Sequence, residues 1–289
     1  MVGSLPPASD SRVGAGPVPG ARTAPPHTRR SAPDPTAAAF FDVDNTVVRG
    51  ASIFHLARGL YARRFFTNRD IARFALMQLK FVVAGSEDLD HMNSAQTTAL
   101  SFIEGRPVEE IQAIGEEIFD ELISKRIWPG TRALTQMHLH AGQQVWLVTA
   151  SPVELARTIA DRLGLTGALG TVAEIENGRY TGRLHGKPLH GPAKAEAIAA
   201  LAAVEHLDLE RCSAYSDSAN DIPMLEMVGH PCAVNPDAEL RAHAKANGWR
   251  IRDYRTKRKA AKIGLPTAAG AGALAGGIAA AASVHRRRQ

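Results

Sequence analysis

A chain of 289 residues with 45% hydrophobic content is long enough for one large domain or a core with an insertion, which makes a globular protein the starting expectation. Its two cysteines, Cys212 and Cys232, are far apart and lack zinc-site spacing, which argues against a disulfide framework and favours structural thiols in a reducing compartment. The net charge of +5 divides into +2 for residues 1–38, +9 for 250–289 and −6 between them, so only the tail of this acidic body suits an anionic surface.

The opening residues are rich in Pro, Ala, Gly and Ser and hold no apolar run long enough for a signal-peptide core. Residues 1–36 therefore read as a disordered extension, and without an export signal the body is expected in the cytoplasm. Residues 37–43 form a short apolar run that ends on acidic residues, the pattern of a buried parallel strand. Similar runs lie at 145–149, 211–215 and 232–234. Helical stretches fall between them at 131–140, 153–163 and 192–204, with Pro152 and Pro192 at helix starts. Alternation of this kind predicts a doubly wound, Rossmann-like α/β core with a parallel sheet and its site at the strands' carboxyl ends.

Residues 50–128 carry apolar side chains at helical spacing, as in Ile53, Leu56, Ala57 and Leu60 and then Ile111, Ile114, Ile118 and Leu122. They predict an inserted all-helical cap over the site, leaving 37–49 and 129–253 as the core. His55, Tyr61, Phe65, Phe66, Phe74 and Phe81 read as its packing residues rather than as a greasy channel. Within 171–184, Asn177-Gly178 marks the turn of a hairpin. Residues 254–289 form a basic, Ala/Gly-rich tail. Its uncharged run, 264–284, reads either as a membrane span or surface anchor or as a low-complexity tail.

Asp42 and Asp44 leave the first strand one residue apart, so they converge only if the chain turns at Asn45. Thr149 ends the second strand, Lys194 opens a later helix, and Asp217, Asn220 and Asp221 follow the third strand. Phosphoryl transfer needs these residue types at strand ends, because a carboxylate facing a dianionic phosphate requires a cation and a fixed ammonium beside it.

Four ordered motifs carry a family resemblance. They are Asp42-Val43-Asp44-Asn45-Thr46, Leu147-Val148-Thr149-Ala150-Ser151-Pro152, Lys194 within Gly191-Pro192-Ala193-Lys194, and Tyr215-Ser216-Asp217-Ser218-Ala219-Asn220-Asp221. The chain resembles the haloacid dehalogenase superfamily of phosphohydrolases, in its phosphoserine-phosphatase-like branch, subfamily IB. That resemblance spans about residues 37–252. It implies a Mg2+-dependent phosphatase acting on a small phosphorylated metabolite through an aspartyl phosphate on Asp42, with Asp44 as acid and then base. It implies Mg2+ bound by Asp42, the Asp44 carbonyl and Asp217, phosphate bound by Thr149, Lys194 and Asn220, and support from Asp221. An acid at Asp44 needs a raised pKa, which Asp42 and Asp217 would provide unless the metal cancels their charge.

The branch carries a glutamate for the substrate ammonium a few residues beyond the first motif, and here residues 47–52 hold no acid. The branch's cap arginine for the substrate carboxylate likewise has no obvious match near 97–102. These departures point away from free phosphoserine, and Arg49 reads either as a contact for an additional anionic group or as a surface arginine at the cap hinge. A lipid phosphate joins the candidate substrates if the tail reaches a membrane. Two alternatives stay open: a phosphotransferase using the same intermediate, and a membrane-associated regulatory protein with a weak phosphatase site. Nucleic-acid binding is not expected, since the basic residues lie on the tail with Tyr254 as their sole aromatic neighbour.

Overall fold

The computed structural model of the chain describes residues 34–65, 100 and 103–255. Most of the expected N-terminal extension, the middle of the expected cap and the tail from residue 256 lie outside the described residues, with the membrane reading of 264–284 among them.

Eight strands are described: β1 (Ala38–Phe41), β2 (Gln144–Pro152), β3 (Gly167–Thr171), β4 (Ala173–Glu176), β5 (Arg179–Leu184), β6 (Ser213–Ser216), β7 (His230–Val234) and β8 (Arg250–Arg252). Six form one parallel sheet in the order β3-β2-β1-β6-β7-β8. The chain builds outward from β1 in one direction and then returns to build from β6 in the other. The crevice at a doubly wound sheet's switch point therefore opens between the carboxyl ends of β1 and β6. β1 shows why the sequence accepts this place: Ala39 and Phe41 enter one core cluster while Ala38 and Phe40 enter the other. Its run is apolar throughout because helices cover both faces. Full burial of Phe40 or Phe41 is worth roughly 1.5–3 kcal/mol, and Phe41 also stacks on Tyr215 of β6 at 4.2 Å.

The described helices are α1 (Ser52–Ala62), α2 (Val108–Ile118), α3 (Pro129–His140), α4 (Val153–Leu163), α5 (Pro192–Glu205), α6 (Ile222–Glu226) and α7 (Ala238–Ala246). In α4, Ala156, Ile159, Ala160 and Leu163 recur at helical spacing on the buried side, and Gly164, at φ +67°, closes the helix. Leu134 of α3 and the buried face of α4 pack in one cluster with Leu60, Ile118, Phe119 and Ile123 from the inserted segment. α5, α6 and α7 cover the opposite face. A π-helical turn, Phe119–Ile123, and a short 3-10 turn, Ser124–Arg126, carry the chain from α2 back toward the core. The crossings into and out of this segment lie side by side. Val48 bridges Ile127, Arg49 N donates to Arg126 O at 2.8 Å, and Trp128 N donates to Val47 O at 2.9 Å.

The expected hairpin is β4–β5, with Asn177 and Gly178 both at positive φ, as a type I′ turn requires. Two strands were not foreseen. β3 is short and rich in small residues, and Gly167 is required there because a Cβ would come within 2.5 Å of the Trp146 ring. β8 has three residues with arginine at both ends, and it is defined by its edge pairing with β7. Both cysteines are free and buried, and Cys212 Sγ accepts a bond from Ala38 N at 3.3 Å. Among the described residues no helix is long and apolar enough to cross a membrane.

Candidate active site

β1 ends at Phe41, and Asp42 follows with its N–H bonded to Tyr215 O at 2.9 Å. The chain then folds back. Asn45 takes φ +58°, and the Val47 and Val48 amides both donate to Val43 O at 2.9 Å. This is the turn the Asp42–Asp44 spacing demands. It is held from outside by Thr131 Oγ1, which donates to Thr46 O at 2.7 Å, and by Asn235 Nδ2, which donates to Asn45 O at 3.2 Å.

Lys194 reaches this loop from the first turn of α5. Gly191 precedes that helix at φ +55° and ψ −126°, a conformation open to glycine and closed to residues with a Cβ, and Pro192 fixes the first turn. Lys194 Nζ donates to Asp42 Oδ1 at 2.6 Å and to Asp221 Oδ2 at 2.8 Å. The lysine is 3% exposed, Asp42 6% and Asp221 2%, so water screens these charges little. Ser216 Oγ adds a third bond, donating to Asp221 Oδ2 at 2.7 Å. Asp217 leans toward the first loop, where Thr46 Oγ1 lies 3.5 Å from its Oδ1.

Thr149 is buried within the carboxyl-terminal half of β2, which runs on to Pro152 past the expected end at 149, and its Oγ1 accepts the Ser151 amide at 3.1 Å. The hydroxyl proton is thereby left free for an acceptor in the crevice. Asp44 Oδ1 accepts the Ser52 amide at 2.7 Å. Asn220 is exposed, and its side chain meets no hydrogen-bond partner among the described residues. Arg49 is also exposed, with its guanidinium 4.6 Å from the centre of the Trp128 ring. The structure thus joins Asp42, Lys194 and Asp221 directly, sets Asp217, Asp44 and Thr149 around them, and leaves Asn220 and Arg49 at the rim.

The electrostatics follow from burial. Four carboxylates share one ammonium. Burial alone would lower Lys194, but Asp42 and Asp221 outweigh it and hold the amine above its ordinary range. Burial pushes Asp42 up against the pull of Lys194, and it raises Asp44 despite the Ser52 bond. Asp217 is pushed up to about 7 by burial and then by the charge of Asp221. This surplus of hard oxygen donors fits a divalent cation such as Mg2+. No group of three or more His, Cys, Asp or Glu side chains arranged to hold a metal occurs among the described residues. The implied set needs only two such side chains, Asp42 and Asp217, together with a carbonyl.

The sequence reading did not single out Thr46, Ser52, Ser151, Ser216 or Asn235 for a role. Asn235 had a usable signal, since it is the first residue beyond β7 in a sheet whose strands deliver site residues at that end. Ser52 had none, because its partners lie on the first loop and on β2.

A buried aspartate fixed by lysine at the switch point of such a sheet suits phosphoryl transfer, and the comparisons identify the class as that of the phosphoric monoester hydrolases. The family follows from comparison: the profile of the haloacid dehalogenase-like hydrolases matches residues 39–226, and the chain belongs to that family. It is 58% identical over 255 residues to the protein named phosphoserine phosphatase SerB1 in Mycobacterium tuberculosis, covering 88% of this chain and 83% of that one. A solved protein of unknown function from Bordetella pertussis Tohama I matches with a TM-score of 0.67 at 29% identity, over 76% of this chain and all of that one. A phosphoserine phosphatase in apo form matches with a TM-score of 0.52 at 20% identity, over 76% and 94%, which speaks for the fold. The phosphoserine-phosphatase-like resemblance and the doubly wound core are borne out.

Proposed function

We propose that the chain hydrolyses a small phosphomonoester by way of a phosphoryl group carried on Asp42. The observation that supports it best is the buried Lys194 ammonium shared between Asp42 and Asp221, which fixes a carboxylate and a positive charge at one point of the crevice. The Asp42 carboxylate attacks phosphorus and the ester P–O bond breaks, with the departing oxygen taking the proton held by Asp44. Water then attacks phosphorus and gives its proton to Asp44. The bond from phosphorus to Asp42 breaks, and inorganic phosphate leaves.

Thr149 donates its free hydroxyl proton to a phosphoryl oxygen, Lys194 neutralises the phosphoryl charge, and Asn220 binds it from the rim. Asp221 holds Lys194 in place, and residues 50–128 form the cap, with Arg49 meeting an anionic part of the substrate. Asp42, the Asp44 carbonyl and Asp217 would hold Mg2+, which supplies positive charge against the phosphoryl oxygens when bound. O-phosphoserine heads the assay because of the relative's name. Residues 47–52 offer no acid for its ammonium, so an aryl phosphate is assayed beside it.

The test is to quench with acid during turnover, reduce with borohydride and map the product. A phosphorylated Asp42 yields homoserine at position 42. Homoserine absent there, or phosphate found on a histidine, overturns the reading.

Metal removal gives a second expected result. Asp217 is raised in the fold from 3.8 to about 7, so the folded state binds more protons across that interval. Its contribution to stability is complete below the unfolded pKa and is lost as pH rises through about 7. In chelator, Tm should fall from pH 5 to pH 8. Added Mg2+ should raise Tm by several degrees more at pH 8 than at pH 5. A Tm that climbs with pH in chelator would contradict this account.

A further inference from the structure

We propose that Ser52 is a positioning residue for Asp44, acting from the first turn of the helix that enters the inserted segment. The proposal rests on the reading of Asp44 as acid and base given above. The first amides of a helix have no intrahelical partner, and Ala51, the N-cap of α1, offers no side chain to satisfy them. Asp44, eight residues earlier, takes that place: its Oδ1 accepts the Ser52 N–H at 2.7 Å. With Oδ1 occupied by a donor, a proton on this carboxyl belongs on Oδ2, where it can pass to the ester oxygen.

The Ser52 side chain ties the same turn to the core. Its Oγ lies 2.8 Å from Ser151 Oγ, and Ser151 N in turn donates to Thr149 Oγ1 at 3.1 Å. Ser52 is fully buried and Ser151 is 6% exposed, so neither hydroxyl has water to replace the other. α1 is seated closely on α2: a Cβ at Gly59 would come within 2.4 Å of Ile118 Cγ1, so only glycine permits this approach. The two helices therefore shift together. Any displacement of α1 from the end of β2 withdraws from Asp44 the N–H that aims it. The proton-transferring group is thus set when the entering helix is seated.

The test uses the dependence of rate on the leaving group. Ser52→Pro deletes both the N–H and the hydroxyl that bond the Asp44 carboxyl, at a first helical position where proline is tolerated, and Ala51 at φ −76° and ψ 124° has the backbone a residue before proline prefers. Its kcat/KM for O-phosphoserine, or for another alkyl phosphate that the wild type hydrolyses, should fall about 100-fold, in the range of a lost general acid. For p-nitrophenyl phosphate, whose phenolate leaves without a proton, the fall should be no more than about threefold, a small part of a general acid's range. Equal losses on both substrates, or no loss on the alkyl ester, overturn the proposal.

Asp44→Asn is measured alongside. A leaving-group effect in Asp44→Asn that is missing in Ser52→Pro defeats the positioning role alone. Its absence in Asp44→Asn defeats the acid assignment and the positioning role with it. If Ser52→Pro does not fold, Ser52→Ala and Ser151→Ala carry the test. Each should cut the alkyl-to-aryl ratio by about fivefold, well short of the ~100-fold of a lost general acid because the Ser52 N–H is kept, and an unchanged ratio in both overturns the proposal.

Discussion

Asp42→Asn should lower kcat by about 10^4-fold or more while leaving the protein folded, because losing a covalent nucleophile removes the route itself rather than one contribution to it. The amide keeps the shape of the carboxylate at a site 6% exposed, and Lys194 retains Asp221 at 2.8 Å, so the ammonium is not orphaned. The variant also relieves a group that burial and three neighbouring carboxylates already drive toward its neutral form. Tm should therefore stay within a few degrees of the parent. Phosphate release from p-nitrophenyl phosphate, measured with circular dichroism on the same samples, decides the matter. Turnover within tenfold of wild type would end the assignment of Asp42.

Lys194→Met should be costly twice over. Removing one partner of a buried ion pair leaves the remaining charge uncompensated, at about 3–5 kcal/mol, and here two carboxylates, Asp42 and Asp221, lose the same ammonium. The sign with pH can be worked out from the lysine. Its folded pKa lies above the unfolded one, so its stabilisation is complete below the unfolded value and is lost as pH rises through the folded one. Wild type therefore keeps this contribution through neutral pH. The variant instead gains stability as pH falls and Asp42, which burial already drives toward its neutral form, takes up a proton. Urea unfolding at pH 5 and pH 7.5 should show a gap from wild type that narrows at the lower pH. Activity should drop by about 10^2–10^3-fold, the scale of one lost electrostatic donor. A gap that widens on acidification would mean that the lysine does not compensate these carboxylates.

Much of the framework was legible because it is local. The run through Phe41, the helix at 153–163 with its buried spacing, and Asn177-Gly178 each specify backbone geometry within a few residues. β3 and β8 were hidden because a Gly-rich strand and a three-residue strand with charged ends are defined by their neighbours. The same division runs through the site. Asp42, Thr149, Lys194, Asp217 and Asp221 stood out because each lies toward or beyond the carboxyl end of a strand or opens a helix, and sheet topology gathers such positions at one edge.

Residue type and order by themselves determined the reaction class: a carboxylate, a hydroxyl, an ammonium and an acidic loop in that sequence suit phosphoryl transfer. Tertiary structure alone decided how the charges are shared. Lys194 lies 152 residues from Asp42 and 27 from Asp221, and their bonds of 2.6 and 2.8 Å exist because α5 brings its first turn to the ends of β1 and β6. Burial raises Asp42, Asp44 and Asp217, and it depends on helices covering both faces of the sheet. Ser52 could be related to Asp44 and Ser151 only in space, since a hydrogen bond is fixed by distance and direction and not by separation along the chain.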